Sequence, residues 1–152
     1  GAKAFCEEQG KRLPTEGEWE GACGGTEGRK YAWGSEEPNA GGRYRANYDP
    51  GDDAADGYER TAPVGSYENG GTPEGLLDMS GNVWEWCSDW YDSDFYGKSP
   101  SKNPSGPSSG QSGVIRGGSW LINPYFLRCA YRYFITPGSR YFNVGFRCAR
   151  TR

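Results

Sequence analysis

Arg116-Gly117-Gly118-Ser119-Trp120 and, further on, Gly145-Phe146-Arg147-Cys148-Ala149-Arg150 bracket a C-terminal stretch that reads as a fixed frame with changeable windows. Leu127-Arg128-Cys129-Ala130, Arg132, Pro137 and Arg140 continue the frame between them. The windows hold Leu121, Ile122, Asn123, Tyr125, Phe126, Tyr131, Tyr133, Phe134, Ile135, Thr136, Tyr141, Phe142, Asn143 and Val144. This set is dense in aromatics and contains no Lys, Glu, Gln, Met or Trp. Tyr and Phe offer large contact area for little lost rotamer freedom, so such a set suits a binding surface. Core filling is the alternative. Against it, neighbouring side chains of a strand point to opposite faces, so the pairs Tyr133-Phe134 and Tyr141-Phe142 cannot lie wholly inward.

The rest of the chain reads as support for that stretch. Its 152 residues suggest one domain, residues 1–152, large enough to bury a core. Leu, Ile, Val and Phe total only 18, a share at which composition alone would hint at disorder. A net charge of only −3, with six Trp and eleven Tyr, points instead to a small aromatic core. Because there are 25 Gly and 10 Pro, much of the backbone belongs in turns and irregular loops, which need staples. The acidic balance and scattered Lys and Arg form no basic stripe, so no nucleic-acid partner is expected. No apolar run approaches the length of a bilayer span, and membrane insertion is not expected. Histidine is absent. There is thus no imidazole for a Ser-His or Cys-His nucleophile, a His-built zinc or iron site, or a proton shuttle near neutral pH.

Residues 2–9 form an amphipathic helix that Gly10 can end; the chain starts as if inside a helix, which suggests trimming. Thr15-Glu16-Gly17-Glu18 fits a capping box for a second helix running to about Cys23 and ending at Gly24-Gly25. Residues 24–82 are rich in turn formers and read as long packed loops, which at that length need internal fastening. Strands are expected over 83–88, 114–116, 127–134 and 144–150, and 96–113 reads as a surface loop. Two short helices, short antiparallel strands and much loop make an α+β domain.

Three motifs stand out along the chain: Gly10-Lys11-Arg12-Leu13-Pro14-Thr15-Glu16 with Glu18-Trp19-Glu20, then Gly75 through Trp86 (GLLDMSGNVWEW), then Arg116 to Trp120 with Gly145-Phe146-Arg147-Cys148. Together they resemble the formylglycine-generating enzyme, or sulfatase-modifying factor, family. The resemblance implies an irregular C-type lectin-like fold, with the N-terminal portion of the family domain missing. It implies disulfides Cys6 with Cys148 and Cys23 with Cys129, leaving Cys87 as a small apolar filler; sequence alone allows other pairings, or reduced thiols. Bridged, the chain would belong in an oxidising setting, secreted or on a cell surface.

The resemblance further implies two structural calcium ions. Asn47, Tyr48, Asp56 and Tyr58 map to one, and Asp78, Gly81, Val83 and Glu85 to the other, mixing carboxylate or amide oxygens with backbone carbonyls as calcium prefers. Asp56-Gly57 and Ser80-Gly81-Asn82 are also good turn formers without any metal.

Catalytic family members hold copper(I) with two thiolates shortly after Arg-Gly-Gly-Ser, and another branch builds an iron centre on histidines. Here Leu121-Ile122-Asn123-Pro124-Tyr125-Phe126 carries no sulfur, and His is absent, so neither copper nor iron is expected and the chain does not read as an enzyme. Glu37-Pro38-Asn39 matches a sugar-binding tripeptide of C-type lectins, but the accompanying Trp-Asn-Asp strand is absent.

The windowed pattern resembles the variable proteins of diversity-generating retroelements. In those, adenines of a template are randomised on copying, so an AAC codon becomes any codon ending in C. Every window residue is encodable that way, with Asn123 and Asn143 as unaltered survivors. The resemblance implies a non-catalytic ligand-binding protein whose partner is a protein or other surface macromolecule. Arg128, Arg132, Arg140 and Arg147 are expected to serve the frame by donating to loop carbonyls. A formylglycine-generating oxidase and an accessory module of a larger surface protein stand as the alternatives.

Overall fold

Two short helices open the chain, and each ends where its sequence can no longer continue it. The structure, a computed structural model, describes residues 1–52 and 54–151. Helix α1 spans Ala2–Glu8 and helix α2 spans Glu16–Gly24. Both arms of the α2 capping box are present: Glu18 N–H donates to Thr15 Oγ1 at 3.1 Å, and Thr15 N–H donates to Glu18 Oε2 at 2.8 Å. Gly25 stops α2 at φ 65°, a left-handed backbone that Gly adopts without a Cβ clash.

The described residues of 25–82 hold no α-helix or strand, only two 3-10 turns at Ala40–Gly42 and Glu68–Gly70. Buried side-chain amides supply the fastening such a length requires. Asn82 donates to Ala62 O and accepts from Ala62 N–H, while Asn47 Nδ2 donates to Arg60 O at 2.7 Å and to Asn82 Oδ1 at 3.3 Å.

Strand β1 is Trp84–Trp90, followed by a one-turn helix α3 at Phe95–Lys98, β2 at Gly113–Arg116, β3 at Tyr133–Ile135 and β4 at Val144–Gly145. The sheet order is β3-β2-β1-β4. β1 and β2 are antiparallel, as are β2 and β3, whereas β4 runs parallel to β1 with Trp84 opposite Val144. Three expectations change here. A short helix opens the 96–113 loop. Residues 127–132 are not strand, because Pro124–Leu127 forms a 3-10 turn capped by Asn123, and Cys129 N–H goes to Lys30 O instead of a ladder partner. The last segment pairs over only two residues, then turns so that Arg147 reaches Glu85, Cys148 reaches Cys6 and Ala149 bridges Arg12.

Trp19, Cys23, Ala32, Met79, Cys87, Val114 and Cys129 form the main core, and Tyr31, Ala46, Tyr48 and Leu127 a second cluster, with Trp33 packed against both. Disulfides join Cys6 to Cys148 and Cys23 to Cys129, closing 142 and 106 residues of sequence separation. In the chain-entropy model a closure of that length contributes about 4.7 kcal/mol, which suits a core so poor in aliphatics. Fixed charges bind α2 to the sheet. Glu16 takes a two-pronged contact from Arg132 at 2.6 and 2.9 Å, the fully buried Arg116 pairs with Glu20, and Trp19 Nε1 donates to Glu85 at 2.8 Å.

Candidate functional site

None of the fourteen window residues is buried. Leu121, Asn123, Tyr125, Tyr133, Phe134, Thr136, Tyr141 and Phe142 are exposed, Phe142 to 73%, and the other six are half-buried. The frame explains why. Its buried members, Arg116, Ser119, Leu127 and Cys129, take the inward positions, and the window side chains occupy what is left.

The aromatic rings form a connected ribbon. Phe126 and Tyr125 meet Tyr131 edge-on at 4.9 and 5.6 Å, Tyr131 lies 6.2 Å from Trp84, Trp84 stacks under Tyr133 at 5.5 Å, Tyr133 touches Phe134 at 5.6 Å, and Phe134 stacks on Tyr91 at 4.3 Å. A separate pair, Trp120 with Phe142 at 5.8 Å, is held nearby because Trp84 N–H donates to Asn143 O. Trp84, Tyr91 and Trp120 are thus an aromatic floor beneath the windows, which the sequence reading did not assign. The signal was the Trp84 and Trp86 alternation along a strand, but which face it lined depended on the β3 pairing. Burial pushes the Tyr131 phenol above its ordinary pKa, and the neighbouring Tyr125 and Tyr133 add to the effect, so this tyrosine presents a neutral hydroxyl across the physiological range.

Of the four arginines expected to serve the frame, Arg132 donates to Asp92 O as well as to Glu16, and Arg147 donates to Leu77 O as well as to both oxygens of Glu85. Arg128 Nε donates to Tyr125 O at 2.7 Å, with its guanidinium 3.8 Å from the Tyr125 ring centroid. Arg140 is exposed and makes no side-chain hydrogen bond among the described residues.

Asn47 of the first candidate calcium set contacts Asn82, a residue that lies between Gly81 and Val83 of the second set without belonging to it. In the first set, Asn47 Oδ1 is buried and has no hydrogen-bond partner, and Asp56 accepts from Tyr48 N–H at 2.9 Å and Tyr58 N–H at 3.2 Å. Burial raises the Asp56 carboxyl pKa, with those backbone donors opposing it, so a cation there would meet a carboxylate short of positive charge. An orphaned amide oxygen and a desolvated carboxylate within one donor set fit calcium's preference for oxygen ligands. The second set fits less well. Glu85 is committed to Arg147 and to the Trp19 indole, and Asp78 Oδ2 already accepts from Gly65 N–H at 2.7 Å. Gly81 is required there by close approach: at φ 96° an added Cβ would lie 2.5 Å from Asn47 O. Among the described residues no group of three or more His, Cys, Asp or Glu side chains is placed to hold a metal on its own.

Residues 1–152 match the model of the sulfatase-modifying factor enzyme 1-like domain. The chain belongs to the sulfatase-modifying factor family. The formylglycine-generating enzyme of Streptomyces coelicolor is 48% identical over 157 residues, which cover 97% of this chain and 49% of that protein. The chain therefore spans about half the length of the curated relatives it matches. Among solved structures, PvdO from Pseudomonas aeruginosa matches with a TM-score of 0.74 and 31% identity over 95% of this chain and 55% of that one. Treponema denticola variable protein 1 matches with a TM-score of 0.71 and 31% identity over 89% of this chain and 45% of that one.

This sulfatase-modifying factor domain places its sulfur in the core. Four cysteines are in disulfides, and Cys87 is buried, its thiol pKa pushed well above the ordinary value by desolvation. The Glu37-Pro38-Asn39 tripeptide is also spoken for, with Glu37 paired to Lys30 at 2.5 Å and Pro38 among the fully buried side chains. No helix among the described residues is long and apolar enough to cross a membrane.

Proposed function

We propose that this domain is a non-catalytic ligand-binding protein that displays a variable aromatic surface on a C-type lectin-like scaffold, in the manner of diversity-generating retroelement variable proteins. The observation that carries this reading is the solvent exposure of the window set over a floor of fixed aromatics. An apolar ribbon of this kind left facing water is a liability unless a partner covers it. The likeness to Treponema denticola variable protein 1 supports the same reading. The partner is a protein or other surface macromolecule, and the two disulfides favour a secreted or cell-surface setting. Calcium is its structural cofactor, held first by Asn47, Asp56 and the carbonyls of Tyr48 and Tyr58, with Asp78, Gly81, Val83 and Glu85 as the second donor set.

A catalytic reading rests on the 48% identity to the Streptomyces coelicolor enzyme. The two separate cleanly in one comparison. A binder captures a cognate partner from a displayed surface proteome, loses it by tenfold or more when Tyr125, Tyr133 and Tyr141 are changed together to Ala, and keeps its melting temperature within about 2 °C. Copper-dependent aerobic oxidation of a sulfatase-derived cysteine peptide, unaffected by those changes, would establish the enzyme instead.

A further inference from the structure

Charge is divided unevenly along this chain. Residues 114–152 contain seven Arg and no Asp, Glu or Lys, whereas residues 1–113 contain ten basic and twenty acidic residues. The fold neutralises part of that positive segment by drawing acids from the other part. Arg116 is met by Glu20, Arg132 by Glu16 and Arg147 by Glu85. Arg128 is treated differently. No carboxylate pairs with it among the described residues; its Nε is fixed on Tyr125 O, its planar face lies 3.8 Å from the Tyr125 ring centroid and 5.8 Å from that of Tyr131, and its two terminal amino groups donate to nothing described. A guanidinium held over a tyrosine ring, with its terminal amino groups unbonded, is preorganised for a carboxylate, because its rotamer freedom is already spent and its planar donors match two oxygens. Exposed Arg140, next to Tyr141, adds positive charge to the same windowed stretch.

We propose that the partner of the aromatic surface is an acidic polypeptide segment, an Asp or Glu flanked by apolar side chains, with Arg128 receiving the carboxylate and the Tyr125 to Phe134 ribbon covering the flanks. This rests on the ligand-binding reading above and adds the chemistry of its partner. A long polyanion suits the protein less well, because the remainder of the chain carries a net excess of ten acidic charges that would repel its further reaches. A short acidic segment on an otherwise apolar contact meets only the positive part.

The test is to pan a phage library of random dodecapeptides against the full chain, against Arg128→Gln and Arg128→Lys, and against the triple Ala variant of Tyr125, Tyr133 and Tyr141. Circular dichroism checks that each variant is folded. The expected result is that peptides selected on the parent are enriched in Asp and Glu over the input. Their affinity should fall about tenfold or more on R128Q and by a smaller factor on R128K, which keeps the charge but loses the planar fork, and salt should weaken the parent complex. Selected peptides that need the ribbon but show no acidic enrichment, or bind R128Q as well as the parent, overturn the carboxylate proposal and leave the ligand-binding reading standing. Heparin or single-stranded DNA that binds the parent more tightly than the selected peptides and displaces them assigns the site to a polyanion and overturns it too. A library that yields no peptide dependent on the ribbon overturns the acidic-segment proposal, while the ligand-binding reading is removed only if the surface-proteome capture also yields no ribbon-dependent partner.

Discussion

At the scale of single residues, Glu18 shows how one side chain can serve a cap and a charge pair at once. Its carboxylate accepts from Thr15 N–H and from both terminal nitrogens of Arg12, at 2.6 and 2.7 Å. The hydrogen bond from Arg12 is the main reason its pKa lies below the ordinary carboxylate value, with the Thr15 backbone donor adding to it and desolvation opposing. A carboxyl whose folded pKa is depressed stabilises the fold above its unfolded pKa, and that stabilisation is lost as pH falls through the folded value. The pair is substantially exposed, so its contribution is only about 0.5 kcal/mol. Glu18→Gln should therefore lower the melting temperature slightly at pH 7, and the difference should vanish in thermal melts below the ordinary carboxylate range. The capping box itself was legible in the sequence because it depends on residues only three apart. Arg128 was legible as frame but not as an unpaired cation, since that depends on which acids the fold carries to its neighbours.

Among elements, the two disulfides connect helices to the C-terminal segments that border the windows. Cys23 on α2 reaches Cys129, between Phe126 and Tyr131 of the ribbon, and Cys6 on α1 reaches Cys148 just after β4. Replacing Cys23 and Cys129 together by Ala should cost about 4 kcal/mol by denaturant unfolding, roughly the loop-closure term for such a separation. The same double change should weaken partner binding, because the bridge ties the turn between Phe126 and Tyr131 to α2. A loss of stability no greater than that of an exposed substitution would show that the bridge is dispensable. The first two helices and two of the strands were readable from caps and aromatic alternation. The third strand was expected too early and the fourth too long, because Asn123-Pro124 nucleates a local turn and the Cys148 and Arg147 contacts draw the chain off the sheet edge. Parallel pairing of β4 with β1 is a nonlocal outcome that no short-range pattern specifies.

For the molecule as a whole, the long 24–82 region is the part whose order depends on the fewest regular hydrogen bonds. The junction of Asn47, Asn82 and Ala62 carries much of it, and the unpartnered Asn47 Oδ1 lies at that junction. With calcium bound to the folded state only, stability rises with free ion, by about 2.7 kcal/mol at a hundredfold excess over the dissociation constant. Adding EGTA should accordingly lower the melting temperature, and restoring calcium, but not magnesium, should recover it. Identical melts with and without the chelator would show that both donor sets are ordinary turn chemistry. The motifs in this region were recognisable as a family pattern, yet the Asn47 to Asn82 contact was not, since it links residues 35 apart through side-chain amides.

Because the residues that hold the domain together and the residues facing solvent along its aromatic ribbon are almost disjoint sets, selection acts on them separately. Substitutions among the exposed window side chains should therefore leave the folding energy nearly unchanged.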